Sequence, residues 1–226
     1  MNNTTKHGTL ITLEGIDGSG KSSAAQALYE DLKNDYPVVL TREPGATHLG
    51  HMLREILQNR TFSIHPKAEF LLFASDRVQH FQEIVLPALS QGKIVISDRM
   101  ADSSFAYQGY GRGVDPSMIQ TINAWAMESR IPDATVYIEI PYAQAQSRLD
   151  QRNEQATVFE QERTEFFERV VQGFEEAFKN RSGILRIDGS LSPYQVRKAV
   201  KESVLSFIYN QGIERASTAS ISMDRL

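Results

Sequence analysis

Residues 15–22 read Gly15-Ile16-Asp17-Gly18-Ser19-Gly20-Lys21-Ser22, and this stretch matches the pattern G-x-x-x-x-G-K-[ST] at every fixed position. It directly follows a strand-like apolar run, Leu10–Glu14, and directly precedes a helical pattern that carries Ala25, Leu28 and Leu32. A strand, a glycine-rich loop and a helix in this order form the setting in which the pattern binds phosphate. The stretch therefore predicts a phosphate site and the strand–helix unit around which the fold is built.

The residue types of this loop indicate what it binds. Its glycines let the backbone wrap with N–H groups pointing inward, where larger side chains would block the phosphates. Lys21 can reach the β- and γ-phosphates of a nucleoside triphosphate, and the hydroxyl of Ser22 can ligate Mg²⁺. The sequence contains no N-K-x-D motif of the kind that reads guanine in GTPases. We therefore expect residues 15–22 to bind the phosphates of ATP with Mg²⁺, and Lys21 to be catalytic.

Short β-branched runs alternate with longer helical patterns along the chain. The alternation predicts an α/β fold in which a parallel sheet carries helices on both faces and binds ligands beyond the carboxyl ends of its strands. The predicted strands are Thr9–Glu14, Val38–Thr41, Lys93–Asp98, Ala134–Ile140 and Ile184–Ile187. The predicted helices span roughly residues 20–34, 48–58, 66–90, 115–129, 142–152, 161–179 and 192–209.

Length and composition limit the classes of protein that the chain can belong to. Its 226 residues favour one domain, over residues 9–210, preceded by a polar segment, 1–8, and followed by a tail, 211–226, that we expect to be disordered. The absence of cysteine excludes disulfide scaffolds and thiolate metal sites. A net charge of −4 argues against broad nucleic-acid binding. Without a signal peptide or a membrane-length apolar run, a cytoplasmic protein is expected.

Charged residues follow two further strands at the expected functional edge. Arg42 follows the second strand and Arg99 the third, while Arg77 lies on the helix between them. The planar fork of arginine suits phosphate oxygens, so these three side chains predict a second anion beside the triphosphate. Asp98 ends the apolar run Ile94–Ile96 in the manner of a Walker-B carboxylate, and we expect it to hold Mg²⁺ through water.

The ordered set of motifs resembles one known family. From about Gly8 to Tyr209 the chain is similar to bacterial thymidylate kinases (dTMP kinases), a family of P-loop nucleoside monophosphate kinases. The phosphate loop alone is shared by many nucleotide hydrolases, whereas the ordered set is specific. The set comprises Glu14–Ser22, Thr41-Arg42-Glu43-Pro44-Gly45, Leu71-Leu72-Phe73-Ala74-Ser75-Asp76-Arg77, Asp98-Arg99, Ala106-Tyr107-Gln108-Gly109 and Ile187-Asp188-Gly189-Ser190.

This resemblance implies a P-loop kinase fold, with a five-stranded parallel sheet in the order 2-3-1-4-5 and a short lid. It implies the reaction ATP + dTMP → ADP + dTDP, which supplies dTTP synthesis, and a homodimer. The family has a loop over the adenine ring that corresponds to residues 187–190.

For the acceptor nucleotide, the resemblance assigns roles to matching positions. Phe73 would stack on thymine, and Arg77 would hydrogen-bond the edge of the base. Tyr107 would lie under C2′ and disfavour ribose. The remaining positions would line the base pocket (Ser103, Ser104 and Gln108), meet the 3′-hydroxyl (Asp17) or hold the monophosphate (Arg42 and Arg99, the latter also catalytic).

The lid, about residues 148–160, departs from the family pattern. Thr157-Val158 stands where the family has Asp-Arg before the final glutamate, Glu160. Phosphoryl transfer needs positive charge on the migrating group, so another arginine must supply it. Arg148 and Arg152 lie four residues apart on one predicted helix face and are our candidates for catalytic residues, with Arg163 a weaker one.

Two other functions fit the phosphate loop. One is another nucleoside monophosphate kinase, acting on dUMP, CMP or AMP, and the other is an ATP-hydrolysing switch protein without kinase activity. A panel of nucleoside monophosphates separates the three.

Overall fold

The computed structural model describes residues 8–59, 61–152 and 156–215. Five strands form one sheet, every neighbouring pair is parallel, and the order is β2-β3-β1-β4-β5, as the resemblance implies. Each predicted strand is found, with ends that differ by one residue at most. The strands are β1 Thr9–Glu14, β2 Val38–Arg42, β3 Ile94–Asp98, β4 Ala134–Glu139 and β5 Ile184–Asp188.

Helices connect the strands and cover both faces of the sheet. The α-helices of the described residues are α1 Lys21–Leu32, α2 His48–Asn59, α3 Pro66–His80, α4 Leu86–Ser90, α5 Ala101–Ser104, α6 Pro116–Ala126, α7 Tyr142–Asp150, α8 Thr164–Phe178 and α9 Pro193–Asn210. Two π-helical segments, Phe81–Val85 and Phe105–Gly111, continue α3 and α5.

Alternate side chains of each central strand enter different cores. On β1, Ile11 and Leu13 pack beneath α1 and α9, while Leu10 faces the other way and packs with Phe81 and Val85. All five side chains are fully buried. This two-sided burial explains why the central strands read as continuous apolar runs in the sequence. Because the strands are parallel, the loops that follow β1, β2 and β3 all lie at the carboxyl edge of the sheet.

The predicted helix 66–90 is in fact three consecutive segments. Its α-helical part ends at His80, five residues form a π-helical turn, and a short α4 follows. Pro87 lies in α4 and has no N–H for the carbonyl of the preceding turn. The wider π-helical turn comes just before this proline, where a regular α-helical hydrogen bond is lost.

The sequence did not predict the helical segment Ala101–Gly111. Its serines and glycines are poor helix formers, so local propensity gave no signal. Tertiary contacts hold it instead, because glycines allow close approach to α8. A Cβ on Gly173 would lie 2.7 Å from the Cα of Ala106, and one on Gly111 would lie 2.6 Å from the ring of Phe166.

The described residues extend past the predicted domain, 9–210, on both sides. The backbone N–H of Gly8 donates to the carbonyl of Leu89, and Ile213 packs against the core beneath α1 and α9. The first residues after α9 are thus held by the fold. The rest of the predicted tail, 216–226, and residues 1–7 lie outside the described residues. In the described part of the chain, no helix has both the length and the hydropathy that crossing a bilayer requires.

Candidate active site

A cavity of about 360 Å³ opens at the carboxyl edge of the sheet. It brings together the predicted phosphate-loop lysine, the predicted metal ligands and all nine side chains predicted to contact the acceptor. The lining residues are Asp17, Lys21, Ser22, Arg42, Glu43, Pro44, Arg54, Gln58, Phe73, Arg77, Asp98, Arg99, Met100, Ser103, Ser104, Tyr107, Gln108, Arg152, Thr157, Phe159 and Glu160.

The phosphate loop has the backbone geometry that its glycines permit. Gly15, Gly18 and Gly20 have φ values of 147°, 81° and 92°. A Cβ on Gly18 would lie 2.4 Å from the carbonyl oxygen of Ala145, so no larger residue fits there. Lys21 begins α1, and its buried ammonium donates to the carbonyl of Ile16 at 3.2 Å. Burial, and next the positive charge of Arg99, lower the pKa of this lysine.

The two predicted magnesium ligands fit a hard cation. Ser22 and Asp98 both line the cavity, one at the start of α1 and one at the end of β3. The Oδ1 atom of Asp98 is buried, and no described protein group hydrogen-bonds to it. A hydroxyl and a carboxylate with an unused oxygen are the donors that Mg²⁺ takes in company with phosphate and water.

Arg99 and Asp17 form the centre of the site. One Nη of Arg99 lies 2.7 Å from Oδ1 of Asp17, and the other donates to Ser103 Oγ at 2.8 Å. The hydroxyl of Tyr107 donates to Oδ2 of Asp17 at 2.9 Å. Burial alone would raise the pKa of Asp17, but Arg99 and Lys21 hold it well below its usual value. Asp17 is therefore a carboxylate that accepts hydrogen bonds, fixed between two cations.

Glu14, which was not predicted to belong to the site, holds the turn that carries Arg99. Its Oε1 accepts from the backbone N–H of Met100 at 2.8 Å, and its Oε2 accepts from Ser103 Oγ at 2.5 Å. These bonds fix the turn in which Arg99 takes a φ of 70°. Burial, and next the charge of Asp102, raise the pKa of Glu14. Glu14 does not line the cavity, so it acts on the site from behind, by holding this turn.

Arg77 lies in the cavity wall with its guanidinium held on several sides. It is 1% exposed and donates to Glu43 at 2.8 Å, to Asn123 at 2.6 Å and to Ser104 at 3.1 Å. Glu43 also meets His80 at 2.8 Å, so the loop after β2 is fastened to α3. This anchoring fixes the direction of Arg77.

Arg54, a second arginine that lines the cavity with Arg42, was not predicted from the sequence. Arg54 on α2 lines the cavity and donates to the carbonyl of Pro44 at 2.9 Å. Burial, and next the charge of Arg42, lower its pKa. Two arginines that line the same cavity favour an anion there. An arginine on an amphipathic helix gave no signal in the sequence that would separate it from a surface residue.

The lid contributes an aromatic wall that was also not predicted. The buried ring of Phe159 lies 5.9 Å from that of Phe73 and 6.1 Å from that of Tyr107. These distances are typical of packed aromatic pairs. The predicted base-stacking residue thus lies beside a side chain of the predicted lid, and Thr157, Phe159 and Glu160 line the same cavity.

The three candidate lid arginines take different places. Arg152 lines the cavity and donates to both carboxylate oxygens of Glu160, at 2.8 and 2.9 Å. Arg148 points elsewhere and donates to the carbonyls of Gly189 and Leu191, so it braces the loop after β5. Arg163 precedes α8 and lines a separate surface depression. The structure places only Arg152 of the three at the cavity.

Comparisons of sequence and of structure both match this chain to thymidylate kinases. The sequence profile described as "Thymidylate kinase" matches residues 13–200. The thymidylate kinase of Halothermothrix orenii is 39% identical over 200 residues, covering 87% of this chain and 96% of the relative. That of Nitrosomonas eutropha is 42% identical, covering 89% and 94%. The crystal structure of thymidylate kinase from Ehrlichia chaffeensis superposes with a TM-score of 0.72 at 34% identity, covering 89% of this chain and 99% of that one.

The buried carboxyl of Asp76 makes stability depend on pH. It accepts from the backbone N–H of Gly45 at 3.0 Å, and burial, then the charge of Glu43, raise its pKa from 3.8 to about 6. The folded state therefore holds this proton more tightly than the unfolded chain, and stability is lost as the pH rises through about 4 to 6. We expect Asp76→Asn to abolish that part of the loss, measured by urea unfolding across this range. The exposed Asp150→Asn is the control, and parallel wild-type and Asp76→Asn curves would contradict the prediction.

Proposed function

Because the chain belongs to the thymidylate kinase family, we propose that it transfers the γ-phosphoryl group of ATP to dTMP, giving ADP and dTDP for dTTP synthesis. The observation that carries this is the shared cavity, in which the phosphate loop and an arginine-lined acceptor pocket face one another. A switch protein that only hydrolyses ATP needs no such second pocket.

The donor side is the phosphate loop. Backbone N–H groups of residues 15–22 and the N-terminus of α1 would hold the β- and γ-phosphates, and Lys21 would follow the migrating group. Ser22 would ligate Mg²⁺ and Asp98 would hold it through water; when bound, the ion would neutralise charge on the triphosphate. The open Oδ1 of Asp98 supports this assignment.

On the acceptor side, Arg42 and Arg99 would hold the monophosphate, and Asp17 would accept from the 3′-hydroxyl. The hydroxyl of Tyr107 donates to Asp17, the residue proposed to meet the sugar, and this contact supports its proposed role in disfavouring a ribose. Phe73 would stack on thymine. The attacking oxygen of dTMP is already ionised at neutral pH, so the protein needs to supply position and charge rather than a general base.

The acceptor range is the direct test of this function. We expect coupled ADP release to be fastest with dTMP and much slower with CMP, AMP and the ribose analogue of dTMP. Any acceptor must also be consumed in equal amounts with ATP, since a shielded site transfers rather than hydrolyses. CMP or AMP turning over as fast as dTMP would overturn the proposal, and ADP release without any monophosphate would favour a hydrolase.

Arg152 is our candidate for the lid charge, because it alone among the three arginines lines the cavity. We expect Arg152→Ala to cost roughly 2–4 kcal/mol in kcat, with a much smaller effect on the KM for ATP, as for a lost transition-state clamp. Single-turnover measurements check this. Arg163→Ala, outside the cavity, is the matched control, and an unchanged rate in Arg152→Ala would remove the lid as the source of charge.

We also propose that the chain works as a homodimer in the cytoplasm. The cysteine-free sequence suits that reducing compartment. Three helices that pack in series, α2 on α3 and α3 on α6, expose large apolar side chains. A shared apolar face of this kind suits a two-fold contact with a second copy. The side chains are Leu49, Met52 and Ile56 on α2, Leu71 on α3, and Met118 and Trp125 on α6.

A charge on this face tests the dimer. We expect light scattering to give twice the chain mass for the wild type and a concentration-dependent loss of that mass in Met52→Glu, because an unpaired carboxylate would be desolvated at the interface. Tyr209→Glu, at an exposed position on α9, is the control. A monomeric wild type, or a Met52→Glu variant that dimerises normally, would contradict the proposal.

A further inference from the structure

Glu69 lies directly behind the base pocket and belongs to none of the roles described so far. It sits near the start of α3, is 1% exposed and does not line the cavity. Its Oε1 accepts from Nε2 of Gln108 at 3.1 Å and from Nε of Arg112 at 3.2 Å. A buried carboxylate is costly unless it is paired, and here a cation and an amide share one of its oxygens.

Arg112, the cation that pairs with Glu69, is itself held by several contacts. The guanidinium of Arg112 lies 4.8 Å from the ring centroid of Phe166 and 5.5 Å from that of Phe159, and it also pairs with Glu162. Cation–π contacts on two rings restrict where this guanidinium can go. These contacts fix Arg112 and, through their hydrogen bond, the oxygen of Glu69 that accepts from it.

The Oε1 atom of Glu69 already accepts a hydrogen bond from Arg112, and this settles which way the amide of Gln108 faces. The nitrogen must point at Glu69, because an amide turned by 180° would set two acceptor oxygens against each other. The carbonyl oxygen and the second N–H of the amide then remain for other partners. No described protein group donates to that carbonyl oxygen, and Gln108 lines the cavity.

The orientation of one amide distinguishes two kinds of pyrimidine. Thymine and uracil present an N3–H donor between two carbonyl acceptors, which matches a carbonyl oxygen flanked by an N–H. Cytosine presents an N3 acceptor beside an amino donor, so it meets this amide with like groups opposed. A polar site of fixed direction rejects the mismatched base because buried groups are left unpaired.

From this juxtaposition we propose that Glu69 is a positioning residue that fixes the Gln108 amide and thereby selects imide pyrimidines over cytosine. The inference rests on the proposed function, since it deepens the specificity of the same site.

The test replaces the carboxylate of Glu69, which accepts from Gln108, by an amide that can either donate to Gln108 or accept from it. In Glu69→Gln, we expect the ratio of dCMP to dTMP dissociation constants, measured by calorimetry without ATP, to fall about tenfold, the scale of one buried hydrogen bond. dUMP shares the imide edge of thymine and should weaken in parallel with dTMP. In turnover, the loss should appear in the KM for dTMP rather than in kcat.

Controls separate orientation from damage. Glu162→Gln neutralises the other carboxylate partner of Arg112 and should leave the base ratio unchanged. Glu69→Asp keeps the carboxyl group but withdraws its oxygen from Gln108 and Arg112 alike, so it should lower the ratio even if Glu69→Gln folds poorly. A wild-type ratio in either folded Glu69 variant would overturn the proposal. Since binding is measured without ATP, a wild type that binds dTMP without phosphorylating it would refute the proposed function alone.

Discussion

The ion pair between Arg99 and Asp17 is the contact on which the rest of the site depends. Asp17 belongs to the phosphate loop after β1, and Arg99 belongs to the turn after β3, so the pair joins two loops that line the same cavity. It forms because β1 and β3 are hydrogen-bonded neighbours whose carboxyl ends lie side by side. Lys21 lies on one side of the pair and Tyr107 on the other, and the sheet beneath keeps this small group of partly buried polar side chains in register.

Much of this arrangement follows from local sequence signals. The apolar strands, the phosphate loop and the helix stripes depend on residues close together in the chain, and the sheet order follows once the family resemblance is granted. Glu14, Glu69 and Arg54 were not predicted, because their roles arise from partners that lie far away in sequence. Arg148 shows the converse case. Its helical spacing from Arg152 suggested a shared target, but the backbone after β5 offers Arg148 carbonyl acceptors that only the folded chain reveals.

The lid compensates for its unusual sequence by using backbone groups. The N–H of Thr157 donates to Glu160 at 2.8 Å, and the N–H of Val158 donates to the carbonyl of Gln58 at 3.2 Å. Neither bond needs the side chains that the family pattern has at these positions. The lid is therefore tied to α2 by its main chain, while Phe159 supplies the apolar contact inside and Glu160 presents Arg152 at the cavity.

The π-helical segment Phe105–Gly111 affects how the acceptor pocket responds to a change in chain length. Ser103 and Ser104 at the end of α5, and Tyr107 and Gln108 in the π-helical segment, all line the cavity, and each π-helical turn holds more residues than an α-helical turn. Removing one residue from an α-helix turns everything beyond the deletion by about 100°. In this segment a lost residue can instead be taken up by a return to α-helical winding, which needs fewer residues for each turn. The π-helical turns thus act as a reserve of chain length inside the cavity wall, and the wall can keep its direction when its sequence shortens by a residue.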